Sequence, residues 1–366
     1  MDPKHVDTIP RWTSASHGFT RRRALVQGGA GLALGALAAV GLTASGTTRQ
    51  AAARGSSDAG NLVDIGGRSL FLESHGAGGP TVVLEAGLRG RSDVWSRDSL
   101  EPAGQRLMVL PAVAGFTRVV TYDRPGTIGV VNPALTPSGP EFYPSRSDPV
   151  PQPRTIRDIV ADLRALLTAA AVPGPYVLVG HSVGGLCMRL YASTYPDDVA
   201  GMVLVDATHE DVWDRFKEVL TPTAWDRFEI LTVENPELLA AYPEAERLWR
   251  LPLIDDPSVS QMRRARVDSP LRPMPLVVLS HGIPFAAPFP EWPVDEMERV
   301  MLALQDDLAR LVPGARHVIA RNSGHDIHQD QPDLVIEAIR QVVEGVRDPG
   351  GWVEVATGPP PMPCGG

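Results

Sequence analysis

Residues 178–186 read Leu-Val-Gly-His-Ser-Val-Gly-Gly-Leu, the most informative motif in the chain. It contains the pattern G-x-S-x-G at 180–184, preceded by the apolar run 176–179 and followed by a helical pattern. The pattern is typical of a sharp turn between a strand and a helix that exposes one serine hydroxyl at the edge of a sheet. Glycine is favoured beside the serine because a side chain there would collide with neighbouring backbone. The stretch therefore predicts a reactive hydroxyl at Ser182.

Apolar runs and helical periodicities on both sides of this turn alternate along the chain. Strands are predicted at Asn61–Ile65, Arg68–Ser74, Thr81–Glu85, Thr117–Tyr122, 176–180, Met202–Val205, Leu276–Ser280 and His317–Ala320. Helices are predicted at Arg154–Ala171, 183–195 and Asp333–Val346, where apolar residues recur at helical spacing. Residues 127–153 are rich in proline and predict a long surface loop. Alternation of this kind indicates an α/β fold with a mostly parallel sheet covered by helices on both faces.

The 366 residues divide into four kinds of segment. We expect an export signal and linker at 1–55, a core at 60–206 and 275–347, a cap insertion at 207–274, and a disordered tail at 352–366. The insertion interrupts the alternation above the carboxyl ends of two strands. Its aromatic residues either form the cap's own core or line an apolar pocket, and they are Trp213, Phe216, Trp225, Phe228, Tyr242 and Trp249.

The amino terminus carries adjacent arginines at 21–23 before the uncharged stretch Ala24–Ala44. This arrangement resembles a twin-arginine export signal, and the alternative is a retained membrane anchor. The abundance of glycine in the stretch favours a cleaved signal, so we expect an exported protein with no stable membrane partner after cleavage. No cysteine follows the stretch, and a lipoprotein signal is not supported.

Charge and cysteine content exclude some classes of partner. The formal net charge is −9 and no basic stripe is present, which argues against a nucleic-acid partner. The two cysteines are Cys187, on the predicted helix after the elbow, and Cys364, in the tail. A core helix and a loose tail are poor partners, so we expect no disulfide between them.

A serine hydroxyl becomes an effective nucleophile when a base takes its proton. His325 follows the last predicted strand and precedes the last helix, so its imidazole can point back to the elbow. The alternatives are weaker, since His328 lies past the turn, His317 falls inside a strand, and His181 should point away. A metal pair at His325 and His328 lacks the further ligands that zinc needs, and we expect neither metal nor cofactor.

A carboxylate must hold the imidazole in the correct tautomer. Asp206 ends the strand Met202–Val205, and it competes with the loop after Leu276–Ser280, which has no carboxylate before Glu291, Asp295 and Glu296. We favour Asp206 because it lies directly at a strand end, while the competing loop begins with His281 and is apolar where an acid is needed.

Acyl transfer also develops a negative charge on oxygen, which backbone amides can stabilise by about 3–4 kcal/mol. One donor should be the amide of Val183, directly after the serine. The other should be that of Leu88, in the turn after Thr81–Glu85, where Gly87 allows close approach. The alternative is that Gly87 only ends a strand.

Together these segments resemble the α/β-hydrolase superfamily over about residues 60–347. Within it, the chain is most similar to esterase-like or lipase-like members that use a serine nucleophile. The matching segments are 85–88, 123–126, 180–184, 205–206 and 324–325. The resemblance implies a parallel sheet flanked by helices, a helical cap insertion, and Ser182, His325 and Asp206 as the catalytic residues. The chain departs from the family in having Glu85-Ala86-Gly87 where a His-Gly pattern is common, and in lacking the acid after the penultimate strand. A serine at position 182 argues against haloalkane dehalogenases and epoxide hydrolases, which use aspartate.

The expectation from sequence is an exported serine hydrolase that cleaves a small-molecule carboxylic ester without a cofactor. Three alternatives remain open: an amide or peptide hydrolase on the same triad, a cofactor-free peroxidase, and a non-catalytic binding protein that keeps the hydrolase shell.

Overall fold

The computed structural model describes residues 60–88, 90–100, 106–131, 141–150, 154–233 and 256–352. The export signal expected at 1–55, the cap residues Tyr242 and Trp249, and Cys364 lie outside the described residues. Among the residues described, no helix combines the length and the apolar character that a bilayer crossing requires.

An eight-stranded sheet forms the centre of the molecule, in the order β1-β2-β4-β3-β7-β8-β9-β10. The strands are β1 Asn61–Asp64, β2 Ser69–His75, β3 Thr81–Glu85, β4 Val119–Tyr122, β7 Tyr176–His181, β8 Val199–Val205, β9 Leu276–His281 and β10 Arg316–Ala320. Pairings that involve β2 are antiparallel and all the others in this sheet are parallel. This mostly parallel sheet confirms the fold class expected from the sequence. Its central strands are apolar along their whole length because they are buried on both faces.

Helices cover both faces of the sheet. They are α1 Val109–Ala114, α2 Ile156–Ala169, α3 Val183–Thr194, α4 Val212–Val219, α5 Pro222–Val233, α6 Asp256–Asp268, α7 Val294–Leu308, α8 Ile327–Asp330 and α9 Pro332–Arg347. One apolar core lies between the sheet and α2 and α3, and the other lies between the sheet and α1 and α9. Helices α2, α3 and α9 occur where the periodicity predicted them, whereas α1 and α7 were not predicted.

Two segments differ from the sequence expectation. The region 127–153, expected to be a loop, contains an antiparallel hairpin of β5 Ile128–Val131 and β6 Glu141–Pro144. Trp352, assigned to the disordered tail, is buried and packs against α9 beside Gly345. An indole has enough apolar surface to extend the core past the end of this helix, while residues 353–366 lie outside the described part of the chain.

The cap is built from two separate stretches of chain. Its core, here called the cap cluster, consists of Val212, Trp213, Phe216, Leu220, Trp225, Phe228, Phe289, Trp292, Met297 and Leu304. Aromatic rings in the cluster pack on one another with centroids 5.2–6.1 Å apart. The aromatic residues of α4 and α5 therefore form the cap's own core. The cluster also reaches beyond the expected insertion at 207–274, because Phe289 and Trp292 enter it from the segment after β9.

Candidate active site

Ser182 occupies a strained turn between β7 and α3. Its backbone has φ 53° and ψ −125°, a sparsely populated conformation for a residue with a side chain and one that costs about 1–3 kcal/mol. Three backbone bonds hold the turn. Ser182 N–H donates to Val205 O at 3.1 Å, and Ser182 O accepts from the amides of Gly185 at 2.9 Å and Thr208 at 3.0 Å. A Cβ at Gly184 would lie 2.6 Å from the carbonyl oxygen of Ala86, so this position must be glycine. The sequence pattern thus folds into the expected elbow.

Asp206 and His325 come together at the carboxyl ends of the strands. Asp206 directly follows β8 and His325 lies in the loop after β10. The Nδ1 atom of His325 lies 2.5 Å from Oδ2 of Asp206. Because an ionised carboxylate only accepts, Nδ1 carries the proton and Nε2 is left as the basic nitrogen. Burial alone would raise the pKa of Asp206, but its bonds to His281 and His325 hold that pKa well below the usual range.

The loop that carries His325 is also tied to the elbow. His181, the residue before the serine, donates from Nε2 to the carbonyl oxygen of His325 at 3.0 Å, and the two rings are 4.6 Å apart between centroids. Within the described residues, no hydrogen bond joins Ser182 Oγ to the His325 ring. Contacts of this kind are often long in unliganded sites and tighten around the substrate.

The carboxylates that competed with Asp206 in the sequence lie elsewhere. Glu291 pairs with Arg227 at 2.9 Å and Glu296 pairs with Arg299 at 2.8 Å, and both pairs are exposed. Asp295 is exposed in the first turn of α7. Of the four candidate acids, the structure places Asp206 against His325.

The other histidines have separate environments. His317 contacts Ser280 Oγ and Asp306 Oδ1, each at 2.8 Å. His328 is buried, and its ring centroid lies 4.5 Å from that of His181. Burial, together with the nearby His325, lowers the pKa of His328 to about 3.

Within the part of the chain described, His181, Asp326 and His328 are the residues grouped closely enough to suggest a metal site. Their ligand atoms lie within 4.8 Å of one another. Zinc binds at about 2.0–2.2 Å, so the group would have to contract to hold such an ion. His181 Nε2 would also have to give up its bond to the His325 carbonyl.

The turn after β3 lies directly against the elbow. A Cβ at Gly87 would be 2.7 Å from Nδ1 of His181 and 3.2 Å from Cβ of Ser182, which explains the glycine. Leu88 follows, half-buried against the cap cluster. Val183 is the first residue of α3, where backbone amides have no partner inside the helix. Both residues therefore lie near the serine, and their role as oxyanion donors remains a prediction.

Arg124 supports this turn, and sequence reasoning gave it no role. Its buried guanidinium pairs with the carboxylate of Glu85 and donates to the carbonyl oxygens of Ala86, at 2.6 Å, and Gly87. These bonds fix the carbonyls of the turn in place. The signal available in the sequence was an arginine after β4 together with an acid ending the adjacent strand.

His281 and Glu298 were also missed. His281, the last residue of β9, lies with Nδ1 2.8 Å from Oδ1 of Asp206 and Nε2 2.9 Å from Oε2 of Glu298. The sequence signal was a histidine directly after an apolar strand, at the place where many family members carry the acid.

Comparison with known proteins agrees with this architecture. The family model described as "Alpha/beta hydrolase family" matches residues 70–338. The solved structure of a protein called DBJA has a TM-score of 0.53 at 15% identity, covering 78% of this chain and 98% of that chain. At that identity the likeness shows the fold alone.

Two curated relatives match part of their length. "Probable transporter efuK" of Hormonema carpetanum is 25% identical over 324 residues, 77% of this chain and 42% of that protein. "Lipase LipV" of Mycobacterium tuberculosis is 31% identical over 142 residues, 33% of this chain and 54% of that protein. The chain thus spans about half the length of these relatives. The family model covers the sheet from β2 to β10, the elbow and the loop of His325, and the chain belongs to the alpha/beta hydrolase family.

Proposed function

We propose that this protein is a serine hydrolase that cleaves carboxylic esters through an acyl-enzyme on Ser182. The observation that carries the proposal is the 2.5 Å bond between Asp206 and His325 beside a strained serine elbow. Similarity to a protein named a lipase supports ester chemistry within the hydrolase family.

In the proposed reaction, Ser182 Oγ attacks the ester carbonyl carbon and its proton passes to Nε2 of His325. Asp206 stabilises the imidazolium that forms. The amides of Val183 and Leu88 bind the oxygen that gains charge. When the carbon–oxygen bond to the alcohol breaks, His325 returns the proton to the leaving oxygen. Water then repeats the sequence on the acyl-enzyme and releases the acid.

The surroundings of the site favour a modest-sized apolar ester or lactone. Leu88 connects the proposed oxyanion turn to the cap cluster. The ring of Phe285 lies 5.6 Å from that of His325 between centroids and adds an apolar surface beside the proposed base. An apolar acyl or alcohol group could lose its water against these residues, because it has no polar atoms that would be left without a hydrogen-bond partner.

Replacing Ser182 by alanine tests the proposal. Turnover of p-nitrophenyl esters should fall at least about 10³-fold, because the covalent step is lost. Labelling by a fluorophosphonate should also disappear. Ser193→Ala, on the same helix, is the matched control and should keep both properties. Unchanged turnover in Ser182→Ala would contradict the proposal, and faster cleavage of matched p-nitroanilides than of esters would reassign the substrate class.

We also propose export by the twin-arginine route, on the strength of the arginines at 21–23 and the uncharged stretch behind them. A reporter fused to residues 1–55 should be exported, and Arg21→Lys combined with Arg22→Lys should retain it inside the cell. Export of the lysine variant at the original rate would argue against this route.

A further inference from the structure

Asp206 is shared by two histidines on opposite sides of its carboxylate. His325 bonds Oδ2 at 2.5 Å, while the ring of His281 lies 2.8 Å from Oδ1 and 2.9 Å from Oδ2. The backbone amide of His281 donates to Oδ1 as well, at 3.1 Å. The carboxylate therefore cannot rotate without breaking bonds to β9, and His281 sets the plane in which it meets His325.

His281 lies between two carboxylates. Its Nδ1 faces Asp206 and its Nε2 faces Oε2 of Glu298 at 2.9 Å. The other oxygen of Glu298 accepts from the Phe285 amide at 3.0 Å, which fixes the side chain of Glu298 in place. Both ring nitrogens need a proton to donate to these acceptors, so His281 is an imidazolium. Burial would lower its pKa, but Asp206 and then Glu298 outweigh burial and raise that pKa to about 10.

We propose that His281 is a positioning residue of the active site: held as a cation by Glu298, it locks the Asp206 carboxylate and limits how strongly that carboxylate stabilises a proton on His325. The inference rests on the proposed roles of Asp206 and His325. It gives the site a second histidine that touches neither substrate nor serine and acts through the shared acid.

Several titratable groups surround His325 besides Asp206. The rings of His181 and His328 also face His325, and both are neutral because burial lowers their pKa. Asp326 is adjacent in sequence, and burial raises the pKa of its carboxyl to about 6. The other charged groups form a row of Glu298, His281 and Asp206. In this row the His281 cation lies directly beside Asp206, the carboxylate that it shares with His325. A cation beside the shared carboxylate disfavours a second positive charge on His325, because like charges repel.

The experiment is the pH dependence of kcat/KM in His281→Gln. Glutamine can still donate to Asp206 but carries no charge, so the acid limb should shift upward by about one pH unit. Glu298→Gln should shift the same limb upward by less, because the new amide donates to Nε2 and lets His281 become neutral. His317→Gln is the matched control, since His317 also joins a strand end to a carboxylate but lies off the site. It should leave the limb in place.

A measurement that does not need turnover separates this inference from the proposed function. The pKa of His325, followed by NMR in the free protein, should rise in His281→Gln and in Glu298→Gln. A rise without ester turnover in the parent protein would support the charge relationship and defeat the ester proposal. An unmoved or lowered pKa of His325 in folded His281→Gln would show that His281 is only structural. If that variant does not fold, an unmoved pKa in Glu298→Gln overturns the inference equally.

Discussion

Two buried carboxylates end strands of the same sheet and have partners of opposite kinds. Asp206 follows β8 and Glu85 ends β3, and each is 1% exposed. Asp206 is bonded by two histidine side chains, whereas Glu85 is paired with the guanidinium of Arg124, which stays charged. Burial alone therefore does not identify a catalytic acid. An acid with a histidine partner can take part in proton transfer. An acid paired with arginine instead holds that arginine where it can bind backbone carbonyls.

The largest expected effect comes from removing the charge of Asp206. In Asp206→Asn the amide can donate to Nδ1 and favour the tautomer of His325 that has no free base toward the serine. We expect kcat to fall about 10³–10⁴-fold with the fold retained. Steady-state kinetics and circular dichroism measure the two properties. Glu85→Gln is the matched comparison, and a loss of kcat as large as that of Asp206→Asn would erase the distinction between the two acids.

Removing Arg124 should act on stability first. Arg124→Met leaves the carboxylate of Glu85 buried without a cationic partner and frees the carbonyls of Ala86 and Gly87. The free energy of unfolding in urea should fall by about 3–5 kcal/mol. The double variant Glu85→Gln with Arg124→Met removes the unpaired charge and should recover part of that loss. A double variant less stable than Arg124→Met would contradict this account.

The two acids should also differ in how stability depends on pH. The folded-state pKa of His281 is about 10, above the ordinary value near 6.5, so its contribution is complete below pH 6.5 and is lost as pH rises toward 10. Each pKa unit of such a shift corresponds to about 1.4 kcal/mol. Urea unfolding at pH 6, 8 and 10 should show this decline in the parent and a smaller one in His281→Gln. The guanidinium of Arg124, the partner of Glu85, stays charged through this window and adds no titration of its own. If the free energy of unfolding fell equally with pH in the parent protein and in His281→Gln, His281 would not be the cause of the decline.

The smallest effect is expected at the acid that the sequence offered as a rival. Asp295 is exposed in the first turn of α7. Asp295→Asn should change kcat by less than twofold and the free energy of unfolding by no more than about 0.5 kcal/mol. The assay is the one used for Asp206→Asn. A larger loss in Asp295→Asn than in Asp206→Asn would transfer the acid to α7.

The sheet and the elbow could be predicted because their signals are local. An apolar run predicts a buried strand, and two glycines around a serine predict the turn, whatever the rest of the chain does. Asp206 could be named because it follows such a strand directly, and its neighbour in space could be inferred from strand order.

The supports of the site could not be predicted because they depend on distant packing. Arg124 meets Glu85 across 39 positions, and His281 meets Asp206 across 75. Glu298 lies on α7. Many charged residues interrupt the apolar spacing of this segment, so the sequence does not predict a helix there. Phe289 and Trp292 joined the cap cluster from outside the expected insertion, since ring packing in three dimensions decides membership there.

The carbonyl of Ser182 is held by the amide of Thr208, at the root of the cap, while its own amide is held by Val205. The chain leading into the cap is therefore anchored to the nucleophile itself. If the cap moves, its hinge must lie beyond residue 208 for the serine to stay aligned, because Thr208 is bonded to Ser182. Amide hydrogen exchange at Ser182 and Thr208 should accordingly report one shared opening event, distinct from the exchange of α4 and α5.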